Sequence, residues 1–158
     1  MARALDLAVT PWGVIAGGVL TGKYCKKNRQ DAATHRYEEN STSRRLSDKS
    51  LAIGDEVVRI AAELGCTPAQ VALNWVRQQP GVIIPIIGVR TEEQVRQNLA
   101  ALDHPLPEEH LRRLSEISAI ELGFPHDFLM QEHIANLVYA HCKDRINNHR
   151  EAGRSPQS

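Results

Sequence analysis

Gly88, Arg90 and Thr91 stand where an apolar run, 82-VIIPII-87, gives way to a helix-like stretch, and Gln94, Gln97 and Asn98 follow at helical spacing. This set could hold an anion. Unpaired backbone N–H groups and the helix dipole favour negative charge at a helix start. Arg90 adds a planar, permanently charged fork suited to phosphate. The side-chain amides of Gln94, Gln97 and Asn98 both donate and accept, which suits the edge of a purine. One reading is therefore a phosphate-plus-base site, as for a nucleotide. The other is a capped helix with a solvated polar face, and the segment alone leaves both open.

A second segment bears on the choice. The stretch 11-PWGVIAGGVLTGKY-24 packs four glycines into fourteen residues and ends on Lys23 and Tyr24, after the apolar 5-LDLAV-9. Glycine clusters make ordinary turns, or they let something approach the backbone closely. In α/β barrels the loops at the C-terminal ends of the strands form one ligand-binding face, with phosphates often held after the last two strands. A glycine loop leaving one strand and an Arg-Thr helix start leaving the next would make two halves of one cradle.

The elements that must position these residues follow from pattern. Residues 5–10 and 82–87 read as buried strands of a parallel sheet, rich in aliphatic side chains. Pro85 cannot donate to a ladder, so local irregularity is expected there. Residues 25–49 are polar and read as a long surface loop. From 51, Val57, Ile60, Ala61 and Leu64 mark one helical face, and Gly65 can end that helix. Thr67-Pro68-Ala69-Gln70 is a capping box with proline at the first helical position, and a helix over 68–79 buries Val71, Ala72, Trp75 and Val76. Thr91 to Gln94 is a second capping box, opening a helix to about 101 with Val95, Leu99 and Leu102 inward. Further helices are expected over 107–117 (Leu111, Leu114, Ile117) and 131–143 (Ile134, Leu137, Val138), and the last ten residues should fray.

Composition narrows the classes. The 158 residues suffice for one domain, and 42% hydrophobic residues suffice for a core that aliphatic side chains must fill, since aromatics are 4%. Nineteen basic and nineteen acidic residues balance, which argues against a general nucleic-acid binder. Cys25, Cys66 and Cys142 are odd in number and far apart, giving neither a metal-ligand spacing nor a disulfide framework, so a reducing, cytoplasmic setting is the simplest reading. The N-terminus lacks the continuous apolar core of a signal peptide, and no segment approaches the roughly 20 apolar residues that span a bilayer.

Three blocks together resemble the aldo-keto reductases. PWGVIAGGVLTGKY resembles the loop after the family's seventh strand, AQVALNWVRQQPGV the helix before its eighth, and IPIIGVRTEEQVRQNLAALD the eighth strand and following helix. The resemblance covers residues 1–129 in unbroken order and looks closest to the branch related to potassium-channel β subunits. It implies an α/β fold, the C-terminal portion of a (β/α)8 TIM barrel with two parallel strands, several helices and a C-terminal helical extension. Residues 1–119 would be the partial barrel and 120–158 the extension.

The resemblance also implies roles. Trp12, Gly13, Val14, Ile15, Ala16 and Gly17 would lie along a cofactor pyrophosphate, and Lys23 would approach a phosphate. Many relatives carry Ser-Pro-Leu where this chain has Gly13-Val14-Ile15, so main-chain contacts would survive and a hydroxyl contact would not. Gly88 and Arg90 would meet the adenosine phosphate, with Gln94, Gln97 and Asn98 near the ribose phosphate and adenine. An arginine there rewards a 2′-phosphate, which favours NADPH over NADH. Arg36, Arg44 and Arg45 are the candidates to close over the cofactor. The family reduces small aldehydes and ketones with an Asp-Tyr-Lys-His tetrad in the first half of its barrel, and no residue here matches it. Lys23 and Tyr24 belong to the cofactor loop, and His126 reads as a packing residue. The chain is thus expected to be a cofactor-binding half that is inactive alone. The alternative is a self-associating or interaction module that contacts its partner through Leu7, Val9, Ile84 and Ile86 or their neighbours. Neither nucleic acid nor membrane is expected as a partner.

Overall fold

The computed structural model describes residues 1–24, 46–140, 142 and 145–146. Arg36, Arg44, Arg45, Cys25 and the terminal residues expected to fray lie outside them. Chain contacts divide the molecule into Met1–Ala119 and Ile120–Ser158.

The first unit is built around helix α1, Asp48–Leu64. Ser47 caps it, with its hydroxyl accepting from Ser50 N and its own N–H donating to the Ser50 hydroxyl, and Gly65 closes it in the left-handed conformation at φ 64°. Helix α2, Pro68–Arg77, starts on the capping box read from the sequence: Thr67 Oγ1 accepts from Gln70 N, and Gln70 Oε1 accepts from Thr67 N at 2.9 Å. Helix α3 is Glu92–Leu99, continued by a 3-10 turn over Ala100–Asp103, and α4 is Glu108–Ser118. Val57, Ile60 and Ala61 of α1, Val71 of α2, Leu106, and Leu114 of α4 form the buried cluster, with Leu20, Ile53, Cys66, Trp75 and Leu111 packed around it.

The expected pair of parallel strands, and with it the barrel portion, must be corrected: the described residues contain no strand. Residues Ala2–Leu5 form a 3-10 turn ended by left-handed Asp6. Among the described residues two isolated parallel bridges join the segments, Val9 with Ile83 and Trp12 with Ile86. The hydrogen bonds explain the break. Val9 N donates to Val82 O, Ile84 N to Val9 O, and Ile86 N to Pro11 O, at 2.8–2.9 Å. The bond that would join them runs from residue 11 N–H to the Ile84 carbonyl, and proline has no N–H. Pro11, not the anticipated Pro85, splits the ladder. An apolar, β-branched pattern cannot by itself supply the missing donor.

Side chains alternate along such a ribbon and bridged residues share a side. Val9 and Ile83 therefore face one way, and Trp12, Ile86, Ile84 and Val82 the other. None of the latter four is shielded: Trp12 is 77% exposed, and Val82, Ile84 and Ile86 are exposed as well. Three other inward assignments also fail, since Val95, Leu99 and Leu102 are exposed.

An ionic cluster ties α1 to α4. Arg113 donates to Glu56 and to Glu63, Arg59 pairs with Glu56, and His110 Nε2 lies 3.1 Å from Glu63. The Arg113 guanidinium holds the Glu63 carboxyl below its usual value of 4.5. A carboxylate lowered in the folded state contributes stability fully above its unfolded value and loses it as pH falls through the folded one. The melting profiles of the parent chain and Glu63→Gln should therefore differ above about pH 5 and converge in acid. A constant gap down to low pH would remove Glu63 as the titrating group.

In the second unit, α5 spans His126–Leu129 and α6 Glu132–Tyr139, shorter than the expected 131–143 helix, with Ile134 buried and Leu137 and Val138 exposed. His126 opens α5.

Candidate functional site

The glycine loop is fixed on α1 before it reaches any ligand. Its 3-10 run, Ala16–Thr21, is kinked by Gly17 and Gly18 at φ 65° and 98°, a conformation that favours glycine. Val19 is buried against α1, where a Cβ on Gly54 would sit 3.1 Å from the Val19 carbonyl oxygen. Gly54 thus lets the helix and the loop backbone approach. Tyr24 is buried and Lys23 exposed, so the two adjacent residues have different roles.

Beside this loop lies a cleft of about 370 Å³. Ile15, Gly18, Thr21 and Lys23 form one wall, Gly88, Arg90, Gln94, Gln97 and Asn98 another, and Thr67, Pro68 and Ala69 the third. A smaller hollow of about 60 Å³ adjoins it, sharing Ile15, Ala69, Gly88 and Asn98 and adding Gly13, Val14, Leu73, Ile86 and Ile87. Segments some seventy residues apart in sequence therefore meet here. Of the residues singled out from the sequence, Gly13, Val14, Ile15, Lys23, Gly88, Arg90, Gln94, Gln97 and Asn98 line one cavity or both. Trp12, Ala16 and Gly17 line neither.

The start of α2 was missed as a wall. Its capping box announces a helix N-terminus, but no sequence signal says which cavity that terminus faces. Thr21 was missed too; its hydroxyl donates to the Gly18 carbonyl at 2.7 Å, tightening the loop.

The polar groups of the second wall are partly committed. Thr91 Oγ1 accepts from Gln94 N at 3.2 Å, while Gln94 Oε1 accepts from Arg90 N at 2.8 Å, one residue earlier than a regular capping box requires. Gln97 Nε2 donates to Glu93. Glu92 pairs with Arg96, and neither Glu92 nor Glu93 lines the cleft. Among the described residues, no hydrogen bond or ion pair engages the Arg90 guanidinium or the Lys23 ammonium. The cleft thus presents two uncommitted cations, a helix start and several amides. That is chemistry for a phosphorylated, base-bearing ligand. Burial pushes the Cys66 thiol up, away from nucleophilic use. Among the described residues, no group of three or more His, Cys, Asp or Glu could hold a metal, and no helix is long and apolar enough to cross a membrane.

The aldo/keto reductase family model matches residues 1–119. The chain belongs to the aldo/keto reductase family. This aldo/keto reductase chain is 29% identical over 130 residues to a probable aryl-alcohol dehydrogenase of Saccharomyces cerevisiae, covering 82% of this chain and 39% of the yeast protein. It is 37% identical over 116 residues to an uncharacterized oxidoreductase of Bacillus subtilis, covering 73% and 33%. It is 38% identical over 99 residues to a probable voltage-gated potassium channel subunit beta of Oryza sativa, covering 61% and 30%. The aldo/keto reductase chain thus spans about a third of the length of these curated relatives.

Proposed function

We propose that this chain is the cofactor-binding part of an NADP(H)-dependent aldo-keto reductase acting on small aldehydes or ketones. The observation that carries the reading is the cleft, because it joins the glycine loop to Arg90 and the amides of α3 across one space. Its volume lies toward the lower end of the roughly 300–1,000 Å³ of ligand pockets, which suits part of a dinucleotide better than the whole. The chemistry of the walls fits the adenosine end. Arg90 would take the 2′-phosphate, Lys23 a second phosphate, and Gln94, Gln97 and Asn98 the ribose and base edges. Gly13, Val14 and Ile15 would offer main chain to the pyrophosphate, while Trp12, Ala16 and Gly17 shape the loop.

Hydride transfer is the chemistry that the nicotinamide supplies when bound. This chain's share is binding and orientation. No residue matches the family's Asp-Tyr-Lys-His tetrad, so the 158-residue chain should turn over no aldehyde. NADPH mixed with the chain and an aromatic aldehyde should show no enzyme-dependent loss of absorbance. Measurable turnover would mean that the chain carries an acid of its own. The spaced cysteines support a reducing, cytoplasmic setting.

A second reading rests on the exposed apolar side of the ribbon, Trp12, Val82, Ile84 and Ile86. Exposed apolar strips of this kind mark interaction surfaces. Under it the chain is a catalytically inactive, self-associating module, pairing equivalent surfaces across a two-fold axis. Light scattering should then show a dimer or larger assembly that Ile84→Lys disperses. A monomer with a concentration-independent melt would reject this reading and leave the first untouched.

A further inference from the structure

Helix α3 carries the cleft's amides yet contributes no buried residue to the core. Its apolar side chains Val95 and Leu99 are exposed, so apolar packing does not set its position. What holds it and the segment after it is a row of side chains from α2. Gln70, Asn74 and Gln78 recur every four residues, which places them on one face of the helix and its C-terminal cap. Each meets main chain of the segment 97–106. Gln70 Nε2 donates to the Gln97 carbonyl at 2.7 Å. Asn74 Nδ2 donates to the carbonyls of Ala101 and His104 at 2.9 and 2.7 Å. Gln78 donates to the Leu106 carbonyl and accepts from its N–H. Gln70 is 8% exposed and Asn74 1%, so these bonds are shielded from water.

Resting on the cofactor-cleft reading, we propose that Gln70 is the positioning residue that joins two walls of the cleft. Its amide has two committed ends. Oε1 accepts from Thr67 N, at the α2 wall, and Nε2 donates to Gln97 O, on the α3 wall. Gln97 is among the last four residues of α3, whose carbonyls have no regular helical partner. Gln70 satisfies that carbonyl and, through it, sets where the Gln97 and Asn98 side chains stand. Gln78 makes a bond of the same kind at Leu106, outside the cleft, and is the internal control.

Gln70→Glu keeps the acceptor for Thr67 N–H and places a carboxylate oxygen against the Gln97 carbonyl; Gln78→Glu makes the equivalent change at Leu106. Amide hydrogen exchange over 92–99 and binding of adenosine 2′,5′-bisphosphate are measured on the full chain. Gln70→Glu should raise exchange over 92–99 and weaken the bisphosphate, each by about tenfold, the scale of one buried carbonyl left unpaired. Gln78→Glu should do neither, even at an equal loss of melting temperature. If Gln70→Glu does not fold, Gln70→Met is compared with Gln78→Met, each losing both amide bonds of its site without adding a charge. Unchanged exchange over 92–99 overturns the proposal whatever the nucleotide does. Raised exchange with undiminished affinity overturns it as well. If the parent chain binds no bisphosphate while exchange rises as expected, Gln70 still positions α3 and the cofactor reading is what fails.

Discussion

Ile60→Ala should cost about 2–5 kcal/mol of stability, the range for truncating a large aliphatic side chain in a packed core. Ile60 is 0% exposed and belongs to the cluster where α1 meets Val71, Leu106 and Leu114. Aromatic side chains are few, so each aliphatic member fills a large share of that core. Domains of this size have net stabilities of roughly 5–15 kcal/mol, so the loss is a sizeable fraction of the whole. The melt should move down by roughly 4–20 °C. Leu102→Ala is the matched control: Leu102 is 57% exposed, so its truncation should change stability by no more than about 0.5 kcal/mol. Equal costs for the two would show that the core is not where these contacts put it.

That pair of residues also shows what the sequence could and could not carry. Ile60 was legible because Val57, Ile60 and Ala61 lie on one helical face bounded by an unambiguous terminator, Gly65. The Thr67 capping box was legible because its partners are three residues apart and their bonds are local. Leu102 looked equally inward by spacing. It is exposed because the segment after α3 is held by Asn74 and Gln78, and nothing in a linear pattern reveals hydrogen bonds from a side chain to main chain nearly thirty residues away. The strands failed for a different reason. Their apolar pattern describes what could be covered, whereas the ladder depends on donors, and Pro11 removes one at the joining position. The glycine loop and the Arg90 segment were legible as two separate halves. The α2 wall between them was not, because a capping box specifies where a helix begins and not what it faces.

Arg90→Ala should lower affinity for NADPH roughly tenfold or more, the scale of one charge-assisted hydrogen bond, and leave NADH nearly unchanged. Arg90 lines the cleft, and no hydrogen bond or ion pair among the described residues engages its guanidinium. Removing the side chain therefore breaks no contact that holds the fold, and the melt should not move. Its main-chain N–H, which donates to Gln94 Oε1, survives the substitution, so the start of α3 stays anchored. Loss of affinity for both cofactors in equal measure would assign Arg90 to a phosphate that they share. No loss for either would take Arg90 out of the site.

The glycine loop and the α3 segment line one cleft, and the nucleotide reading requires both to meet the ligand. Hydrogen exchange of the full chain with and without NADPH tests it most directly, because it reports on both walls at once. NADPH should protect 13–23 and 88–98 together, and NADH should do so more weakly at equal concentration. Protection of one segment without the other, or of neither, would contradict it.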